Sequence, residues 1–244
     1  MAPTKRLARI AGAFYLLVGV FGGFAEGFVD PKVYVSGNAA ATAGNVVANA
    51  GLVRSGVVAH LLDGVFFVLA AMALYLLLGF VNRNVGRWMV VLVVLATGII
   101  CLNAVFEFEG LQVATNSVYS TALGVAGSNA LVLLLLDMQH YGTLIAQVFF
   151  GLWLAPLGYL AYRSGLFPKA LGVVLVAATV CYVADLLAAF LAPDLAAQVH
   201  PTLVVVPAVA EIWMVAYLLV KGVRTSPTTE GSVASSLAPA AIAA

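Results

Sequence analysis

The chain has 244 residues, of which 64% are hydrophobic and 9% charged, with a mean hydropathy of +1.09; soluble domains carry roughly a quarter charged residues. That composition excludes an ordinary soluble domain and reads as all-α, a polytopic membrane helix bundle whose first partner is the lipid bilayer. The formal net charge of +1 comes with no basic stripe that could neutralise phosphates, so nucleic acid is excluded as a partner.

An apolar run of about 20 residues spans a hydrocarbon core of roughly 30 Å. Six such runs are expected as helices, at 8–29, 55–80, 88–109, 140–162, 169–192 and 201–222, since open strands would leave backbone groups unsatisfied in lipid. The first carries Gly19, Gly23 and Gly27 at four-residue spacing, a stripe that lets a helix approach closely, as an internal packing seam or as the seam of a homodimer. Its opening, MAPTKRLAR, then IAGAFYLLVGVFGGF and Ala25-Glu26-Gly27, also has the parts of a cleavable signal peptide. Cleavage there would leave the other five spans in place.

Residues 30–54 and 110–128 are long external connections, each expected to hold a short interfacial helix. The stretch 129–163 would be roughly 50 Å long as one helix, more than a bilayer needs. A break is therefore expected near His140 and Gly142, leaving 129–138 as an interfacial or re-entrant helix. Pro207 leaves the carbonyl of Leu203 without its helical donor and is expected to kink the sixth span. Cys101 and Cys181 fall in apolar runs and read as small hydrophobic side chains. Residues 1–224 form one transmembrane domain in this reading, and the small, polar, Pro-containing stretch 225–244 reads as a disordered cytoplasmic tail.

Lys and Arg set the orientation. With a cytoplasmic N-terminus, Lys5, Arg6, Arg9, Arg83, Arg87, Arg163, Lys169, Lys221 and Arg224 lie inside and only Lys32 and Arg54 outside. Both termini are then cytoplasmic, in a bacterial inner membrane.

Several stretches carry a family resemblance. They are FFGLWLAPLGYLAYRSGLFPKALGVVL at 149–175, the opening RLARIAGAFYLLVGVFGGFAE, ALYLLL with Val81-Asn82-Arg83, Tyr182-Val183-Ala184-Asp185 and Ala210-Glu211-Ile212. Over most of residues 6–223 the chain resembles a bacterial integral-membrane family known as DUF4386, a domain of unknown function. The resemblance implies a multi-helix membrane protein with no assigned activity and brings no catalytic residue. At position 60, where an acid is expected in many members, this chain has His60.

The ionisable residues inside the spans carry what functional signal there is. On the expected topology Glu26, Glu107, Glu109 and Asp137 fall near the outer boundary, with Glu107 and Glu109 read as solvated there. His60, Asp63 and Asp185 fall roughly 8–12 Å inside, and Glu211 about 15 Å inside, near the midplane. A charge at the centre of a span costs on the order of 2.5–3.5 kcal/mol on insertion scales, so these groups must be neutral, paired or beside water. His60 and Asp63, three residues apart, share a helix face, as do Asp137 and His140. The leading expectation is an outward-facing acidic pocket for an ion, proton or small solute in a carrier or sensor component. Its candidate residues are Asp63, Asp185, Glu211, His60 and His140. An alternative is a divalent metal held by His60, Asp63, His140 and Asp185 in a metal-dependent intramembrane hydrolase, with Glu211 as base. A third is a structural or assembly subunit. No P-loop, HExxH, GxSxG or CxxC occurs.

Overall fold

Short polar side chains start four of the described helices. Thr4 accepts a hydrogen bond from the Leu7 N–H and begins α1, Lys5–Phe24. Asn38 caps α3, Ala39–Ala48; Asn82 caps α5, Arg83–Thr115; and Asn116 caps α6, Ser117–Leu152. Each uses a side-chain oxygen to satisfy a donor that the first helical turn leaves free. The computed structural model describes residues 4–224, so the expected disordered tail at 225–244 lies outside the described residues.

The remaining helices are α2, Asp30–Val33; α4, Ala50–Leu78; α7, Leu154–Ser164; α8, Lys169–Leu191; α9, Pro193–Leu203; and α10, Val205–Val220. A π-helical turn, Ala25–Val29, joins α1 to α2. Six stretches are long and apolar enough to cross a membrane: Lys5–Val33, Ala50–Leu78, Arg83–Thr115, Ser117–Ser164, Lys169–Leu191 and Pro193–Val220. All six expected spans are present and α3 is the short helix expected in the first long connection, but the stretch 110–128, expected as a second long connection, is taken up by the end of α5 at Thr115 and the start of α6 at Ser117.

Each span packs on its neighbours in the chain, and α10 returns to α1, so the six form a ring in sequence order. Short connections enforce the order. Between α7 and α8 the chain turns at Gly165, in the left-handed region at φ 71°, and Pro168 precedes the new helix. Gly158 and Gly172 let these two helices touch, because a Cβ on either would come 2.7 Å from the other's carbonyl oxygen. The outside of the ring is apolar, with Val94, Leu102, Val180, Leu191 and Ile212 exposed, as lipid-facing surface should be.

The structure corrects the expected break in the fourth span. α6 runs unbroken through His140 and Gly142, and 129–138 belongs to the span itself. Gly142 is needed there for contact, since a Cβ at that position would collide with the Asn103 side chain. The interruptions fall instead at Gly124, with φ 71° and ψ 165°, and at Trp153. Pro156, which cannot bond the carbonyl of Leu152, accounts for the second. The sixth span breaks at Val204, between α9 and α10, one turn before Pro207 as expected.

Candidate functional site

Three of the six spans change their helical winding around one cavity. In the first, the Asp30 N–H bonds the carbonyl of Ala25, the i to i−5 bond of a π turn, and Pro31 next to it offers no donor to Gly27. The turn re-aims Glu26. In the fourth span Trp153 stands at the break, and in the sixth the break at Val204 lies between His200 and Glu211. Glu26, Trp153, His200 and Glu211 all line a cavity of about 520 Å³ enclosed by the ring.

The cavity carries three carboxylates, Glu26, Asp63 and Glu211, with two imidazoles, His140 and His200, and no Lys or Arg among its lining residues. Aromatic side chains share the lining with the acids. Phe67 stacks on Phe150 at 5.3 Å and meets the Trp153 ring edge-on at 5.0 Å. Gly19 and Gly23 form part of the floor. Among the described residues no neighbouring atom lies within 4 Å of a Cβ placed at Gly19, Gly23 or Gly27, so no described helix packs closely against that stripe. The close approaches of α1 are made at Gly12 against Leu218, and at Gly22 beside Asp63.

Glu211 is the most elaborately held of the acids. The Tyr15 hydroxyl donates to its Oε2 at 2.8 Å and the Tyr182 hydroxyl to its Oε1 at 3.0 Å. Tyr15 in turn packs edge-on against Trp153 at 5.3 Å. A second, mainly apolar crevice of about 530 Å³ between α1 and α10 also ends on Glu211. This carboxylate therefore faces a polar chamber on one side and an apolar slot on the other.

Asp63 is buried, its Oδ1 has no hydrogen-bond partner, and it reaches the cavity past Gly22. Asp185 sits one layer back. It accepts from Gln147 Nε2 at 3.1 Å and faces His200 Nδ1 at 3.0 Å, and it is those two partners that form the cavity wall. His140 lines the cavity and stacks on Tyr34 at 5.0 Å. Tyr34, just beyond the first span, donates to Asp137 at 2.6 Å. Its partial burial, and then this hydrogen bond, push the phenol up to about 12.

His60 belongs elsewhere. It shares α4 with Asp63, but residues three apart point about 60° from each other around the helix axis, enough to send the two side chains to different neighbours. His60 Nε2 faces Asp30 Oδ1 at 3.9 Å and Glu107 Oε2 at 3.7 Å, and all three ligand-capable atoms lie within 4.8 Å of one another. This is the group among the described residues that could hold a metal ion. The set expected from sequence differs: Asp63, His140 and Asp185 do not join His60. Glu107, expected to be solvated at the membrane edge, is 2% exposed. Glu26, Asp30, Tyr15, Tyr182, Gln147 and His200 were not among the candidates read from sequence. Of these, Glu26 and Asp30 carried a signal, an acid pair flanking Gly27 and preceding Pro31 at the end of an apolar run.

The sequence profile of the family described as Domain of unknown function (DUF4386) matches residues 10–222. No curated protein and no solved structure matches the chain.

Proposed function

This chain belongs to the DUF4386 family, and from that premise we propose that it binds a small organic cation in the ring cavity, as a carrier or sensor component. The observation that carries the reading is the lining itself. Three carboxylates share the cavity lining with Phe67, Phe150, Trp153 and Tyr182, and no Lys or Arg is among the lining residues. A carboxylate supplies the counter-charge, and aromatic faces attract an alkylammonium group through their negative π faces. Two tyrosine hydroxyls fix Glu211 in place, so the negative charge is positioned before any ligand arrives. The apolar crevice that ends on the same carboxylate gives an alkyl substituent somewhere to lie. In this reading the protein lies in a bacterial inner membrane with both termini on the cytoplasmic side, as the bias of Lys and Arg favours, and the cavity opens outward.

Tetramethylammonium is the probe. Added to the detergent-purified full chain, it raises the midpoint of thermal unfolding, whereas potassium at the same ionic strength does not. Asp63→Asn and Glu211→Gln abolish the rise. A wild-type protein that shows no rise, or variants that keep it, would remove this reading.

A further inference from the structure

Asp30, His60 and Glu107 come from three successive spans and meet beside the main cavity, at a place the proposed cation site does not use. The residue types are one imidazole and two carboxylates. His60 and Glu107 are each 2% exposed, and His60 Nε2 and both carboxylate oxygens of Glu107 have no hydrogen-bond partner among the described residues. Buried polar atoms are ordinarily paired, so three unpaired atoms in one group need an explanation.

Their spacing supplies one. The gaps of 3.7 and 3.9 Å from His60 Nε2 are too wide for hydrogen bonds. Two ligands about 2.0–2.2 Å from a common zinc ion stand about 3.4–3.6 Å apart at tetrahedral to trigonal angles, close to what is observed. Charge agrees as well. Two carboxylates and a neutral imidazole around a divalent cation sum to zero, the least costly total for a site at membrane depth. A proton on His60 instead would leave the group with one net negative charge.

The surroundings are shaped for the same set. A Cβ on Gly56 would stand 2.9 Å from Glu107 Oε1 and equally close to a methyl of Val29, so this glycine leaves room for the carboxylate. Gln139, itself buried, donates from Nε2 to Asp30 Oδ2 at 2.8 Å and so leaves Oδ1 directed at His60. Metal-ligating carboxylates are commonly held in this way by an outer partner. Of the three ligands only Asp30 also lines the adjoining recess of about 260 Å³, so a fourth ligand would enter from that side.

We propose that Asp30, His60 and Glu107 form a binding site for one divalent cation of the zinc class, clamping the first three spans together. Imidazole with two carboxylates suits zinc and its first-row neighbours better than magnesium or calcium, which prefer all-oxygen sets.

The test loads the full-length protein in detergent with zinc, removes excess by dialysis against metal-free buffer, and counts bound metal by mass spectrometry. The expected result is about one zinc per wild-type chain, a fall of tenfold or more in His60→Gln and Glu107→Gln, and full retention in Asp63→Asn and Glu211→Gln. X-ray absorption of the loaded wild type, which needs no variant, should show a single imidazole with oxygen ligands. A wild type that retains no stoichiometric zinc overturns the proposal. So does retention by both triad variants, or a spectrum with two or more imidazoles, which would move the metal to His140 and His200.

Discussion

The Tyr15 hydroxyl stands 2.8 Å from Oε2 of Glu211 and so joins the first span to the last, where the ring closes. Lipid tails are as apolar as leucine, so helices in a membrane gain little from hiding hydrophobic surface and depend on packing and interhelical hydrogen bonds. Tyr15→Phe removes the bond and keeps the ring. We expect it to cost about 1–2 kcal/mol, at the upper end for membrane hydrogen bonds because the acceptor is a carboxylate. Unfolding in a denaturing-detergent titration measures this directly; an unchanged midpoint would mean that the hydroxyl does not support Glu211.

The contact between Gly158 and Gly172 predicts a contrast between glycines that look alike in the sequence. Gly172→Ala drives a methyl group to 2.7 Å from the carbonyl oxygen of Gly158, which is backbone and cannot swing aside. Overpacking of this kind costs about 1–3 kcal/mol. Gly19→Ala meets nothing within 4 Å and should stay within about 0.5 kcal/mol of wild type. If the same titration ranks the two variants equally, the α7–α8 approach is not as close as described.

Tyr34 gives a pH dependence with a definite sign. Burial and the hydrogen bond to Asp137 raise its phenol from 10.0 to about 12, so the folded state favours the protonated form. The stabilisation from this group is fully present below about pH 10, the unfolded value, and is lost as pH rises toward 12. The ultraviolet difference between wild type and Tyr34→Phe should accordingly show no tyrosinate near pH 10 and a signal appearing near pH 12. A signal already half developed at pH 10 would remove the Asp137 contact.

The sequence and the structure agree where one property decides and part where several compete. All six spans follow from apolar length. The winding within the spans did not. A glycine and a histidine suggested a break at 140–142, but Gly142 is there to admit Asn103, and helix interiors in lipid keep their backbone bonds wherever neighbours permit. The break at Gly124 falls at a glycine in the positive-φ region, whereas those at Trp153 and Val204 track Pro156 and Pro207, and the π turn tracks Pro31, a proline signal available in the sequence and read only at Pro207. For the acids, the span each belongs to was legible and direction was not. Spacing of three put His60 and Asp63 on one face, yet a rotation of about 60° sends them to separate groups. His200 could not be foreseen as the partner of Asp185, because that pairing depends on how α9 folds back after Ala192.

The orientation derived from basic residues yields the last prediction, and it bears on which side a ligand would enter. Glu26 and Asp30 lie at the end of the first span that leads into α3, and His140 lines the recess beside them. The side of the membrane on which α3 lies is therefore the side on which that recess opens. In a background with Cys101 and Cys181 replaced, Ala40→Cys, exposed on α3, should react with a membrane-impermeant maleimide in intact cells. Asn84→Cys, exposed at the start of α5, should react only after permeabilisation. Nine of the eleven Lys and Arg residues lie on the Asn84 side, and such bias sets insertion because basic loops are retained in the cytoplasm. The reverse labelling pattern would place α3 in the cytoplasm and turn the proposed outward-facing cavity into an inward-facing one, while leaving the ring and its acids where they are.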